Sequence, residues 1–434
     1  MSEKPSSSSV SSEEDDNVLK PEVLEKYKAA ARISQDALTR VVQACIVGKS
    51  VVELADIGDR TIEEMTSAIY NVEKDEEPIE KGVAFPTCIS INECVGNYSP
   101  EAEDTRKIAE GDVVKIDLGC HIDGYTACAS HTVIVSSSPV TDARADATEA
   151  AWVAADAVAK SLVPGTKTIA ISAIIKKIAA AYGVFPVDGV LSHCMKRFVI
   201  DGNKTIPNLL SASNIPMDPN AEVELDDVFC IDVVMSTKEP KTNKRGQIIP
   251  EVEGEPIPPP AAPKELGDKF RPTVYKRNVE EQFMLRLKTS RQLMSEIQKK
   301  HATFPFSIRS LRTKLPRIGI KEMIEHNMLS TYPPMFLKPG TFVAQVKLTC
   351  IVTEKGVQVL CGGAASASIL SAAHHSEKAI TDPEILSILQ KPLTVGSAPS
   401  AKKNKKKNKK KKSAEKSQEE DKKKKEDNSK AESK

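Results

Sequence analysis

"VKIDLGCHIDGYTACASHTVIV" (Val114–Val135) consists of two alternating arms joined at Asp123-Gly124. Asp-Gly supplies the two positive-φ positions of a tight turn, so the stretch predicts a β-hairpin. With a two-residue loop, Ile122 faces Tyr125, Gly119 faces Cys128 and Asp117 faces Ser130. Cys128 is then the same-face diagonal neighbour of Asp117. An aspartate at 128 would bring two carboxylates together, as a hard dication requires; a cysteine does not.

The hairpin's first strand has an echo further along the chain. "DVVKID" (Asp112–Asp117) returns 115 positions later as "DVFCID" (Asp227–Asp232), each a short apolar strand ending on an aspartate. Two related half-domains facing each other would carry Asp117 and Asp232 to a common centre. Chance likeness between two apolar strands explains the echo equally well at this point.

Around these strands the periodicity changes to helical. "PEVLEKYKAAARISQDALTRVVQACIVG" sets Leu24, Tyr27, Ala31, Leu38, Val41, Val42 and Cys45 at helical spacing between Pro21 and Gly48. Ser50 with Glu53 forms a capping box that opens a second helix toward Tyr70. Strands are expected over 82–135, helices over 142–162 and 168–182, and strands again near 190–200 and 224–235. The organisation predicted is a Ser/acidic disordered leader (1–17), a main α/β domain (18–240 and 333–370), a Pro-rich extended loop (241–277) and an inserted helical subdomain (278–332). A linker with a short helix (371–400) and a disordered Lys-rich tail (401–434) follow. Within the insertion, Val279, Phe283, Leu287, Met294 and Ile297 share a helical face. A second short helix turns Ile308, Leu311 and Leu315 inward and Arg309, Arg312 and Lys314 outward, with Arg317 close after. These four cations read either as a positioned nucleic-acid contact or as an ordinary charged helix face.

Nine scattered cysteines without a CxxC pair argue against a disulfide framework and a zinc ribbon, and point to a reducing compartment. No window reaches the ~18 apolar residues of a membrane span, and the first residues carry no apolar signal segment, so neither insertion nor secretion is expected. The net charge of +1 hides an asymmetry: the tail from residue 401 holds 16 lysines against 7 acids. Its densest run is Lys402, Lys403, Lys405, Lys406, Lys407, Lys409, Lys410, Lys411 and Lys412, a block that attracts polyanions or serves as a nuclear address. The pair His374-His375 sits in a polar small-residue stretch and reads as solvated.

Five ordered blocks, "AFPTCISINECVGNYSP", "VVKIDLGCHIDGYTACASHTVIV", "LSHCMKRFVIDGNK", "DDVFCIDVV" and "GTFVAQVKLTCIV", resemble those of type II methionine aminopeptidases over roughly residues 17–370. The resemblance implies the α/β (α+β) pita-bread fold, with two pseudo-symmetric halves and an inserted small helical subdomain. It also implies a site where two aspartates, a histidine and two glutamates hold two metal ions. Carried over block by block, these positions are Asp117, Cys128, His193, Asp232 and Lys347, and the family's catalytic histidine falls on Asn97. An ammonium ~4 Å from a dication is repelled by about 8 kcal/mol at an effective dielectric near 20, where the replaced carboxylate would attract. Lys347 is therefore expected to pair with Asp117 or Asp232. No metal, no cofactor and no catalytic residue is expected, since Asn97 cannot titrate near neutrality. Cys128, His193 and Asp117 remain chemically acceptable zinc ligands, which keeps an active aminopeptidase with altered ligands as the alternative.

These departures and the lysine tail resemble the proliferation-associated protein branch of that family. The branch implies a non-enzymatic adaptor in cytoplasm and nucleus, including the nucleolus. Its implied partners are RNA, the large ribosomal subunit or pre-ribosomal particles, and transcriptional and signalling proteins. Its implied roles are ribosome biogenesis, translation and transcriptional corepression. A pocket that binds nascent peptides without hydrolysis is a further alternative. "EILSILQ" (Glu384–Gln390) offers Ile385, Ile388 and Leu389 where relatives carry a leucine-rich receptor motif, but the strict pattern is not met.

Overall fold

A computed structural model of the chain describes residues 18, 20–71, 78–211, 215–238, 251–252, 255–256, 271–371 and 373–395. The leader, most of the Pro-rich segment and the lysine tail, with Lys402 to Lys412, lie outside the described residues.

The first half runs α1 (Pro21–Ala44), α2 (Val51–Ser67), β1 (Lys81–Ile91), β2 (Cys94–Gly96), β3 (Val113–Ile122) and β4 (Tyr125–Ile134). The second runs α3 (Ala143–Lys160), α4 (Thr168–Tyr182), β5 (Phe185–Pro186), β6 (Leu191–Met195), β7 (Thr205–Pro207) and β8 (Val228–Ser236). Two short strands, β9 (Glu251–Val252) and β10 (Glu255–Pro256), pair with each other. The insertion comprises β11 (Val274–Arg277), α5 (Lys288–Lys300), β12 (Phe306–Ser307), α6 (Pro316–Glu325) and β13 (Leu329–Tyr332). The chain closes on β14 (Met335–Phe336), β15 (Val343–Thr353), β16 (Gly356–Gly362), α7 (Pro383–Leu389) and β17 (Thr394–Val395).

The main sheet follows the order β1-β3-β4-β15-β8-β6-β7, so β15 joins the two halves. Local chemistry sets these elements. Pro21 occupies the first turn of α1, Ser50 and Glu53 form the reciprocal capping box of α2, and Asp142 caps α3 through the Arg144 amide. Asp123 (φ 55) and Gly124 (φ 80) make the β3–β4 turn, and a Cβ at Gly124 would lie 2.6 Å from the Phe198 ring. The hairpin register is the one the turn dictates, with Asp117 opposite Ser130 and Gly119 opposite Cys128.

Alternation assigns the two faces of the sheet. Val114, Ile116, Leu118, Cys120 and Ile122 share a core with Tyr27, Leu38, Val41 and Leu54 of α1 and α2. Phe229, Ile231, Val233 and Met235, with Val346 and Leu348, share a second core with Ala154, Val158, Ile171 and Ile175 of α3 and α4. Asp117, Asp232 and Lys347 have the opposite parity and face away from the helices. The echo thus corresponds to two equivalent strands, one per half, each presenting its aspartate on the same face.

The insertion departs from the sequence reading in three places. Helix α5 begins at Lys288, not near Asn278, because the Glu322 carboxylate from α6 accepts the backbone N–H groups of Arg286 (2.7 Å) and Leu287 (3.3 Å). Phe283 stacks on His326 instead of joining a helical face, and Val279 and Leu287 are exposed. Ile308–Ser310 forms one 3-10 turn and the true helix starts at Pro316, since a proline cannot sit inside a helix. Leu315, expected inward, is 70% exposed at the cap with φ 53. Finally Val274–Arg277, read as the end of a loop, is the central strand of a three-stranded sheet with β12 and β13.

Candidate functional site

One row of registered residues crosses four strands of the main sheet. Asp117 on β3 opposes Ser130 on β4, Ser130 opposes Lys347 on β15, and Lys347 opposes Asp232 on β8. His193 on β6 opposes Cys230 on β8, which opposes Thr349 on β15 in the neighbouring row. Residues two apart share a face, so Cys128, Gln345 and Cys230 join the same surface.

Lys347 makes both of the pairings that the sequence left as alternatives. Its Nζ lies 2.6 Å from an Asp117 oxygen and 3.3 Å from an Asp232 oxygen, and 5.2 Å from the centroid of the Phe85 ring. Gln345 completes the arrangement. Its amide donates to Asp232 (2.8 Å) and its carbonyl oxygen accepts from the Ser130 hydroxyl (3.2 Å). Thr349 holds Cys128 at both ends, accepting from its amide (2.9 Å) and donating to its carbonyl (2.8 Å).

Burial and charge act against each other here. Burial opposes the Lys347 ammonium, but Asp117 and Asp232 outweigh it and hold its pKa well above the usual lysine value. Burial, opposed by Lys347 and reinforced by Asp232, pushes the Asp117 carboxyl up to about 6. His193 is held down to about 4 by burial, with Lys347 adding to the effect, so its ring is neutral at pH 7. The neighbouring Cys128 thiol, then burial, raises Cys230 well above the usual thiol range.

A cavity of about 200 Å³ opens over this face, lined by Asn97, His193, Asp201, Asp232, Gln345 and Lys347 with apolar Val95, Leu191, Val234 and Met335. Asn97 sits at φ 63 and donates to the Pro333 carbonyl (3.4 Å). The His193 Nδ1 is buried and has no hydrogen-bond partner among the described residues. Tyr332 and Lys276 both reach Asp201 on the cavity wall.

The metal pair that the resemblance implies does not fit these residues. The cationic place between Asp117 and Asp232 is filled by an ammonium on a side chain that cannot leave, and no group of three or more His, Cys, Asp or Glu is arranged for a metal among the described residues. A dication entering would have to displace Lys347 from both carboxylates. His374 is engaged elsewhere, its Nδ1 accepting from the Val140 amide (3.2 Å).

The proposed cationic contact needs correction. Arg309, expected outward, has a side chain only 7% exposed; it pairs with Asp56 (2.9 Å) and Asp59 and donates to Ser99 and to the Pro100 carbonyl. Arg317 pairs with Glu101. Both tie the insertion to the first half of the main domain. Arg312 and Lys314 are exposed. Sequence reasoning missed Gln345 and Tyr332 as site residues; Gln345 shares the face of Lys347 two residues away on β15, a signal strand alternation carries, but nothing local marked Tyr332.

Residues 25–246 match metallopeptidase family M24. Proliferation-associated protein A of Dictyostelium discoideum is 36% identical over 388 residues, covering 88% of this chain and 92% of that protein. ERBB-3 binding protein 1 of Arabidopsis thaliana is 39% identical over 336 residues, 77% of this chain and 79% of that protein. Among solved structures, a thermophilic Arx1 superposes with a TM-score of 0.72 at 25% identity, covering 86% of this chain and 99% of that one.

Proposed function

We propose, from the premise that this chain belongs to metallopeptidase family M24 and to its proliferation-associated branch, that it is a non-hydrolysing adaptor. It joins RNA and the large ribosomal subunit, or its precursors, to transcriptional and signalling proteins, and works in cytoplasm, nucleus and nucleolus. The observation that carries the loss of hydrolysis is the Lys347 ammonium standing between Asp117 and Asp232. A two-metal hydrolase needs cations at that place to generate its nucleophile and steady its transition state. Here the Lys347 ammonium already stands in that place and offsets one of the two carboxylate charges, and Asn97 supplies no titrating group.

Two cationic regions support the nucleic-acid half of the proposal. The lysine tail provides sequence-independent attraction to phosphate. Residues 278–332 carry ten lysines and arginines against five glutamates. With Arg309 and Arg317 committed to internal pairs, the exposed cations include Lys288, Arg291, Lys299, Arg312 and Lys314. Co-sedimentation with large ribosomal subunits tests this. Binding should fall steeply with salt, and should weaken when Lys299, Arg312 and Lys314 become alanine or when the lysines of 402–412 become glutamine. Binding unchanged by all of these contradicts the assignment.

The retained cavity favours a second reading, capture of nascent peptides without cleavage. Val95, Leu191 and Met335 offer an apolar wall beside polar Asn97 and His193. Peptide affinity that disappears on filling the cavity, with no product formed, is its signature.

A further inference from the structure

We propose that the cleft between α2, β1 and the insertion is a second binding site, for a small phosphomonoester of mononucleotide size with an apolar or aromatic body. This site lies apart from the Lys347 cavity and does not rest on the adaptor reading. The cleft encloses about 480 Å³, within the range of small-molecule sites.

Its charge selects an anion. Five cations line it, among them Lys81, Lys300 and Arg312, against three carboxylates, Asp56, Asp59 and Glu63. The carboxylates are spent internally: Asp56 and Asp59 on Arg309, Glu63 on Lys300 (3.1 Å). A surplus of two positive charges remains, matching a phosphomonoester dianion. Lys81 has its three protons on Ile69, Tyr70 and Asn71 and contributes charge alone. The Arg312 guanidinium is exposed, and the residue's hydrogen bond among the described residues is through its backbone N–H, to Glu296. It is therefore available for the planar two-bond contact that arginine makes with phosphate.

The wall supplies hydroxyls and an apolar body contact. Ser307 is fully buried and its hydroxyl has no hydrogen-bond partner among the described residues. An unsatisfied buried hydroxyl costs on the order of 1–3 kcal/mol, which a bound acceptor oxygen would relieve. Ser310 is bonded to His301 (3.1 Å), and burial holds His301 down to about 3, so this ring adds no charge. Val83, Pro86, Phe306 and Leu311 provide the apolar surface.

The test uses the full chain with labelled Ile, Leu and Val methyl groups, titrated with AMP, adenosine and inorganic phosphate. Residues 401–434 contain no Ile, Leu or Val, so phosphate held by the tail gives no signal of its own. AMP should move the Val83 and Leu311 methyls saturably. Adenosine alone and phosphate alone should each bind about tenfold more weakly or worse, and Arg312→Ala, an exposed position, should weaken AMP about tenfold, the loss of one charge-assisted contact. Ser307→Ala should weaken it less. Unmoved Val83 and Leu311 methyls, an Arg312→Ala titration identical to wild type, or phosphate binding as tightly as AMP overturns the proposal.

Discussion

The Lys347 ammonium lies 2.6 Å from an Asp117 carboxylate oxygen, although 230 positions separate the two residues in the chain. The contact spans the seam where β15 joins the halves, and Asp232 closes it from the other side at 3.3 Å. Removing one partner of a buried pair leaves uncompensated charge. Lys347→Met should therefore destabilise by about 3–5 kcal/mol in urea denaturation. Adding Asp117→Asn should recover part of that loss, because the stranded carboxylate is gone; a double variant no better than the single one contradicts the pairing.

Arg309 should behave as a structural residue. Asp59 is half-buried and its pKa is raised by burial, with Arg309 opposing, so Arg309→Ala, which removes a nearly buried guanidinium, leaves it stranded and should cost about 3 kcal/mol. Arg312→Ala and Lys314→Ala, on exposed side chains, should stay within about 0.5 kcal/mol of wild type by the same denaturation measurement.

Acid should weaken the fold through its buried histidines. Burial holds His121 and His301 down to about 3, and His131 and His193 to about 4. A depressed folded value means that the unfolded chain takes the proton first, so this stability is present above ~6.5 and is lost as pH falls toward those values. Each histidine contributes a slope of up to about 1.4 kcal/mol per pH unit. Asp117 has the opposite sign: raised to about 6, its contribution is present below ~3.9 and lost as pH rises through 6, which offsets part of the slope. Urea midpoints should fall between pH 6.5 and 4, and a flat profile would show that these rings are not held neutral.

The Glu384–Gln390 segment should not serve as an exposed leucine-type docking helix. Ile385 is 1% exposed, and Ile388 and Leu389 pack on the α3–α4 core. Ile385→Ala should cost about 2–4 kcal/mol of stability, whereas a docking role would leave stability unchanged and abolish partner capture.

What the sequence revealed follows from how local its causes are. The hairpin register was legible because a two-residue turn fixes every pairing after it, and the two aspartates were legible through their shared strand pattern. The start of α5 was not, since the Glu322 carboxylate that intercepts the Arg286 and Leu287 amides lies 36 and 35 residues away. Arg309 misled for the same reason. Its place in the helical spacing looked solvent-facing, while its partner Asp59 stands 250 positions earlier in α2. Pro316 was the one local signal that could have corrected the second helix.

The most direct test of the central claim is metal analysis of the purified full chain after equilibration with manganese or cobalt, run with a methionyl-peptide cleavage assay. The Lys347 bridge predicts no stoichiometric metal and no cleavage. Stoichiometric metal with turnover that Asp117→Ala abolishes would contradict it.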